Sequence, residues 1–475
     1  LKEIEMMKNL KPQAHVHLMG ICGTAMASLA GLLLDRNFKV TGSDQNPYPP
    51  MSTQLESLGI KIQKGYRPEN LNPRPDFVVV GNVISKNNPE AEELLKLKIP
   101  YTSLPKAMGE VVIEDRTCVC VSGTHGKTTT TTLMSWVAEV AEKKPGFMIG
   151  GIAKNFDKSF RNPKADLFVI EGDEYDTAFF DKVPKFTHYK PTIGILTSIE
   201  FDHADIYRDL DHVKEAFIML LKIIPQNGHL VYWAEDQNIQ SILSNLNAPS
   251  LSYGMKGGDL QAKIIATTPS TTNFTVRYKD QDLGEFRLPM SGEYNVLNAL
   301  SVIGTSMLLK IDIKTVKQAF ESFKGVKRRQ EILGEPGGIL VIEDFAHHPT
   351  AVKETIKGIK AKYPNRKLWA VFEPRSATSR RKVFQKDYAK AFELADETLI
   401  AEAFDQTKLS SDDRFSSAEL VADINRGGHS AKTFSKVDDI VSDISRGAKS
   451  GDLVMIMSNG GFDGIYQKLL GALGG

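Results

Sequence analysis

The residues Gly123, Thr124, His125, Gly126, Lys127 and Thr128, inside "CVCVSGTHGKTTTTT", are of the types that hold a phosphate. Glycines let the backbone approach an anion closely, a lysine adds positive charge, and a threonine hydroxyl can reach a metal ion. The spacing is not that of a Walker A loop, which needs a glycine five positions before Gly126, where Val121 stands. The apolar "CVCV" before the loop predicts a strand, and "TTLMSWVAEVAEKK" after it predicts a helix, so backbone N–H groups at the helix start would face the ligand. Gly123 to Thr129 are therefore expected to bind nucleotide phosphates, with Lys127 on the β/γ-phosphates.

A nucleotide phosphate brings Mg²⁺, which takes oxygen ligands from one or two carboxylates, phosphate and water. Two acidic clusters follow apolar runs: "LFVIEGDEYD" with Glu171, Asp173 and Glu174, and "GILTSIEFDHAD" with Glu200, Asp202, His203 and Asp205. In open α/β sheets the ligand crevice lies at the carboxyl ends of strands. Thr128 and Glu171 are expected to hold the metal, and His203 a second ion.

The elements that must position these groups alternate. "HVHLMG", "KVTGSD", "DFVVVG" and "CVCVSG" predict strands, with helical stretches such as "NPEAEELLKLK" between them, the pattern of a parallel α/β sheet. A polar, β-branched segment, "AKIIATTPSTTNFTVRYKDQDLGEFRLPMSG", predicts a small antiparallel excursion. Strands at "GILVIEDF", "KLWAVFEP", "ETLIAEAF" and "DLVMIMSNGG" open a further unit near Gly325. The expected fold is α/β in three domains: a Rossmann-like domain over 1–115, a P-loop ATPase-like domain over 116–325 with a parallel sheet and the excursion, and a Rossmann-like domain over 326–475. The first opens with "GICGTAM", whose Gly20 and Gly23 permit a tight turn beside a pyrophosphate, although Gly-x-x-Gly is not the full dinucleotide fingerprint.

Composition limits the alternatives. A chain of 475 residues exceeds one hydrophobic core, and a net charge of +1 argues against sequence-independent binding to nucleic acid or an anionic membrane. No apolar run approaches the roughly 20 residues of a spanning helix, and the start "LKEIEMMKNLKPQ" lacks an export h-region, so a cytoplasmic protein is expected. Cys118 and Cys120 alternate along a strand and are expected to be buried thiols rather than metal ligands.

Taken together, "GTHGKTTT", "IEGDEYD", "EFDHAD", "SGEYNVLNAL", "GVKRRQE" and "EDFAHHPTA" resemble, in order and spacing, the Mur ligases, ATP-dependent amide-forming enzymes of peptidoglycan metabolism. Two branches of that family act on UDP-N-acetylmuramate, one adding L-alanine and the other a preformed peptide recovered from old wall. "TGSDQNPYPPMSTQLESLGI", "KPGFMIGGIAKNF", "AFFDKVPKFTHY", "EFDHADIY" and "MSNGGFDGIYQKLL" resemble the second branch, whose peptide is L-alanyl-γ-D-glutamyl-meso-diaminopimelate. The resemblance implies ATP and Mg²⁺ as cofactors, and UDP-N-acetylmuramate and the murein tripeptide as small-molecule partners. It leaves the oligomeric state open, a monomer included.

It also implies residue roles: Lys127, Glu171, His203 and Arg329 as catalytic, Asn295 and Asn298 at the adenine side, Arg329 and Asp344 toward the phosphates and ribose. Gly20, Ile21, Cys22, Gly23, Thr24, Ala25, Met26, Ser43, Asp44, Asn82 and Ser85 would surround the UDP-sugar. Arg375, Ser376 and Asn459 would meet the peptide, and an arginine fork suits the extra carboxylate of diaminopimelate. Ser198 stands where relatives often have asparagine and is given no ligand role, and no carbamylated lysine is identifiable, Lys214 and Lys222 being merely in the right region. The competing readings are an L-alanine-adding ligase, a folylpolyglutamate synthase and, from another class, a catalytically silent UDP-sugar sensor. Binding partners on three domains also implies closure before chemistry, with Phe323 to Gly325 as a candidate hinge.

Overall fold

The computed structural model describes residues 7, 10–47, 51–407 and 409–474. Most of the segment "LKEIEMMKNLKPQ", and residues 48–50 of the stretch "TGSDQNPYPPMSTQLESLGI", lie outside the described residues. The chain divides into two compact units, one of residues 1–200, 211–261 and 298–322, the other of 201–210, 262–297 and 323–475.

The first unit begins with five parallel strands in the order β3-β2-β1-β4-β5: β1 His15–Met19, β2 Lys39–Asp44, β3 Ile62–Lys64, β4 Phe77–Val80 and β5 Tyr101–Ser103. The crossover α1, Thr24–Leu34, joins β1 to β2, and α2, Pro89–Lys96, precedes β5. Every residue of β4 is buried, the continuous apolar run of a strand covered on both faces. Asn88 caps α2 by accepting from Glu90 N and Ala91 N, ahead of Pro89 at the first helical position, where a missing N–H costs nothing.

The central sheet of this unit follows: β6 Thr117–Ser122, β7 Gly146–Ala153, β8 Lys158–Arg161, β9 Leu167–Gly172, a small hairpin β10 Asp176–Ala178 and β11 Asp181–Pro184, then β12 Ile193–Leu196, β13 His229–Trp233 and β14 Ser250–Gly254. Its order is β14-β13-β12-β6-β9-β7-β8, parallel except for β8. The helix α3, Lys127–Val140, leaves the end of β6 after the glycine loop, and α4, Gln237–Ile242, follows β13. The first two sheets belong to one unit because α1 packs on the β7–β8 ribbon. Ser28 and Ser159 share a hydrogen bond at 2.9 Å, and a Cβ on Gly31 would lie 1.9 Å from the Phe160 ring. That ribbon, from "KPGFMIGGIAKNF" onward, carries too many glycines to read as a strand in sequence.

β15, Leu260–Thr267, pairs with β14 at Tyr253↔Leu260 and then runs out of the first unit. The expected antiparallel excursion is the hairpin β16 Thr272–Tyr278 and β17 Gln281–Leu288 in the second unit. The helix α5 spans Glu293–Leu308. The last sheet has the order β18-β19-β23-β20-β21-β22, from β18 Glu331–Gly334, β19 Leu340–Asp344, β20 Leu368–Phe372, β21 Glu397–Ala401, β22 Ala431–Phe434 and β23 Leu453–Met457, with α6, Pro349–Lys362, after β19. All pairs given for it are parallel except β18–β19, an antiparallel edge on an otherwise parallel sheet. Among the described residues no helix is long and apolar enough to cross a membrane. Cys118 and Cys120 are free and fully buried in β6, and burial pushes both thiols up, as packing residues require.

Candidate functional site

In the first unit the phosphate loop is shaped by two glycines in left-handed backbone, Gly123 at φ +127° and Gly126 at φ +83°. A Cβ on Gly123 would lie 2.2 Å from Thr197 Oγ1, and one on Gly126 2.4 Å from Asn298 Oδ1 of α5. Only glycine fits at either place. Thr124 N donates to Ser198 O at 2.9 Å and His125 N to Ser198 Oγ at 3.1 Å, so these two loop N–H groups are engaged inside the protein. An anion at this loop would meet the N–H groups of the first turn of α3. Thr128 and Thr129 lie buried in that first turn.

Lys127 begins α3, and its ammonium donates to Gly123 O at 2.7 Å and to the Glu174 carboxylate at 2.9 and 3.3 Å. Burial alone would depress the lysine, but Glu174, Asp173 and Glu171 outweigh it and hold the group above its ordinary value and charged. Beside it, burial pushes Asp173 up, yet Lys185 and Lys127 prevail and bring its pKa to about 2. Lys185 Nζ stands 2.9 Å from Asp173 and 4.1 Å from the Tyr175 ring centre. Glu171, near the end of β9, accepts from Thr128 Oγ1 at 3.1 Å and from Gly150 N at 2.5 Å. A hydroxyl and a carboxylate are thus brought together, the hard oxygen pair that suits Mg²⁺. His125 Nε2 lies 3.4 Å from Glu200 Oε2.

The same unit carries the turn after β1. Gly20 has φ +81°, and Gly20 N and Ile21 N donate to Ser43 O at 2.9 and 3.0 Å, while Cys22 N donates to Asp44 Oδ2 at 2.9 Å. Ser43 and Asp44, the last residues of β2, therefore build the turn. Gly23 is the cap of α1 and supplies no side-chain bond, so the N–H groups of Thr24, Ala25 and Met26 form an open first turn. Asn82 and Ser85 are exposed in the loop after β4, the strand next to β1. Under the turn the fully buried Glu90 accepts from His17 Nε2 at 2.7 Å, Ser43 Oγ at 2.8 Å and Asn70 Nδ2 at 2.8 Å.

In the second unit His203 has φ +53°, and its N–H donates to Asp202 Oδ1, which also accepts from Thr378 Oγ1, both at 2.7 Å. Burial raises Asp202, but His203, His347, His348 and the Thr378 hydroxyl outweigh it and hold the carboxylate well below its usual range. His348 accepts at Nδ1 from Thr350 N, capping α6, which leaves a proton on Nε2 to donate to Phe201 O at 3.1 Å. Asp344 ends β19 with both oxygens engaged, by Gln330 N and Ala346 N at 2.8 Å each, and burial pushes its pKa up against the neighbouring Arg329. The Arg329 guanidinium lies 4.7 Å from the Phe345 ring centre. Asn295 is buried and donates to Ser291 O at 2.7 Å, so its amide already has a partner in its own unit.

Arg375 lies 3.8 Å over Phe404 and donates to Glu373 Oε1 at 3.2 Å. Glu373 also accepts from Ser458 Oγ at 2.5 Å. Ser376 is engaged in its own turn, accepting from Ser379 N at 2.9 Å. The buried Oδ1 of Asn459 is without a hydrogen-bond donor among the described residues. Sequence reasoning missed Glu174 as the partner of Lys127, Lys185 as the partner of Asp173, and Ser198 as a structural acceptor. No local pattern marks them, since each meets its partner only once the chain has folded.

A strand-loop-helix phosphate site, with a threonine hydroxyl against a strand-end carboxylate in a chain of parallel α/β sheets, defines a nucleotide-using α/β enzyme. Residues 15–116 match the model of the Mur ligase family catalytic domain, 121–306 the Mur ligase middle domain, and 328–460 the Mur ligase glutamate ligase domain. The chain belongs to the Mur ligase family, three-domain ATP-dependent enzymes that form amide bonds. It is 38% identical over 459 residues, 96% of this chain and 98% of the relative, to the UDP-N-acetylmuramate--L-alanyl-gamma-D-glutamyl-meso-2,6-diaminoheptandioate ligase of Escherichia coli K12. It is 35% identical over 94% of this chain and 95% of the relative to the UDP-N-acetylmuramate--L-alanine ligase of Clostridium botulinum Langeland. The crystal structure of a murein peptide ligase from Psychrobacter arcticus 273-4 is similar with a TM-score of 0.73 at 38% identity, covering 97% of this chain and 99% of that one.

Proposed function

We propose that the chain joins UDP-N-acetylmuramate to L-alanyl-γ-D-glutamyl-meso-diaminopimelate with hydrolysis of ATP, in the cytoplasm, as a step of peptidoglycan recycling. The supporting observation is near-full-length identity of 38% to a ligase with those substrates in its name, against 35% to the alanine-adding relative. Gly123 to Thr129 then hold the ATP phosphates, with Asn298 of the same unit beside them; Asn295, Arg329 and Asp344, in the second unit, are assigned to the nucleotide by the family resemblance. The glycine turn from Gly20 to Met26, with Ser43, Asp44, Asn82 and Ser85, holds the UDP-sugar. Arg375, Ser376 and Asn459 face the peptide.

Thr128 and Glu171 fit Mg²⁺ as its oxygen ligands in the first unit, and His203, in the second unit, is assigned to a second ion by the family resemblance. Held there, the ion would supply positive charge against the phosphate oxygens. The lactyl carboxylate attacks the γ-phosphorus, the bond to the ADP oxygen breaks, and an acyl phosphate forms. Lys127 must exchange its contact with Glu174 for the phosphates, where its charge stabilises the spreading negative charge. The peptide amine then attacks the acyl carbon, inorganic phosphate departs and the amine proton is released.

The test is ADP release with UDP-N-acetylmuramate and, separately, the tripeptide, L-alanine or no acceptor. Turnover with the tripeptide and not with L-alanine is expected. Turnover with L-alanine alone would establish the alanine-adding activity, and no release with any acceptor would leave the sensor.

A further inference from the structure

The segment that follows β12, Thr197 to Glu200, is bonded along one edge to the phosphate loop. Thr197 Oγ1 donates to Ser122 O at 3.1 Å and lies 2.5 Å from His125 O. Ser198 takes the Thr124 and His125 N–H groups as described above. The Thr124 hydroxyl closes the edge, donating to Glu200 O at 3.2 Å and accepting from Glu200 N at 2.9 Å. The segment is therefore the wall on which the loop rests.

The other edge is held from α4. Asp236 caps that helix with Oδ1, accepting from Asn238 N at 2.8 Å and Ile239 N at 3.0 Å, while its Oδ2 accepts from Ile199 N at 2.8 Å. Asn238 Nδ2 donates to Ile199 O at 2.8 Å. Both polar groups of one peptide residue are thus gripped by two side chains, and Asp236 is buried, where a lost bond leaves its partner unsatisfied at a cost water does not make good. A cap needs only one of the two carboxylate oxygens; the second does something else.

We infer that Asp236 and Asn238 are positioning residues for nucleotide binding: by gripping Ile199 they hold the Thr197–Glu200 wall, and through it the Thr124–His125 half of the phosphate loop, in register for ATP. The inference rests on the ATP reading of that loop. Neither residue touches the loop itself, so their loss acts through Ile199.

Asp236→Ser separates the two duties of the carboxylate, because serine caps a helix well but is too short to reach Ile199 N. Asn238→Ala removes the grip on Ile199 O and leaves the cap in place. ATP affinity of the intact protein is measured by calorimetry without a second substrate, and KM for ATP and for UDP-N-acetylmuramate by ADP release. Each variant is expected to weaken ATP roughly tenfold, the order of one lost charge-assisted or buried hydrogen bond. KM for the UDP-sugar should stay within about twofold, and the melting temperature should fall by no more than about 3 °C, far less than for a core defect. Unchanged ATP affinity in both variants overturns the inference, as does an equal rise in both KM values together with a melting loss beyond about 3 °C, which means a purely structural role. Failure of the unsubstituted protein to bind ATP would instead overturn the ligase reading and this inference with it.

Discussion

At the scale of single residues the site is a set of opposed charges in a dry place. Lys127 is held charged by Glu174, Asp173 and Glu171 against the cost of its burial, and its ammonium donates to Glu174 and Gly123 O. Lys127→Met and Glu171→Gln are each expected to lower ADP release by at least about a hundredfold, the order seen when one electrostatic stabiliser of a transition state is removed. Far-ultraviolet circular dichroism should stay unchanged in both, and near-normal turnover in either would remove that residue from the mechanism. His203→Ala is expected to raise the Mg²⁺ concentration needed for half-maximal rate; an unmoved metal titration would make the histidine structural. Asp173 carries a pH consequence of definite sign. Its folded pKa of about 2 lies below the ordinary 3.8, so its contribution to stability is complete above about pH 4 and is lost as pH falls from there toward 2. Denaturant titrations from pH 5 to 2 should show a shallower acid loss for Asp173→Asn than for the unsubstituted protein.

At the scale of elements, glycines decide where strands, loops and helices may touch. Gly123 combines φ +127° with a wall of Thr197 and Ser198, so Gly123→Ala should weaken ATP binding strongly and cost stability, read by calorimetry and melting. Gly31 is a contrasting case, since its backbone is ordinary helix and only the Phe160 ring forbids a side chain. Gly31→Ala should therefore lower stability by roughly 1–3 kcal/mol, the overpacking range, while leaving KM for ATP as it was. The loop itself was legible because its chemistry is local: a strand, two glycines, a lysine and a hydroxyl in consecutive positions. The β7–β8 ribbon was not, because its glycines defeat strand propensity and it is held by α1, more than a hundred residues earlier in the chain. Glu171 was legible as an acidic residue after an apolar run, and Asp344 only through the family resemblance. What their oxygens bond to was not, since Gly150 N, Gln330 N and Ala346 N are ordinary peptide groups with no sequence signature.

At the scale of the whole molecule, the proposed reaction makes one demand that no single residue test can replace. An oxygen of the muramyl carboxylate must end in inorganic phosphate, so oxygen-18 placed in that carboxylate should be found in the released phosphate by mass spectrometry; its complete retention in the amide product would exclude the acyl phosphate. The order of α/β segments, the phosphate loop and the strand-end acids follow from the amino-acid sequence itself, because periodicity and short motifs are written in neighbouring residues. The grouping into two compact units, the ion pairs of Lys127 and Asp173, and the grip of Asp236 and Asn238 on Ile199 arise only in the folded chain. A hydrogen bond or buried ion pair depends on distance in space, and only the folded chain brings these residues, 12 to 47 positions apart, within 3 Å of one another.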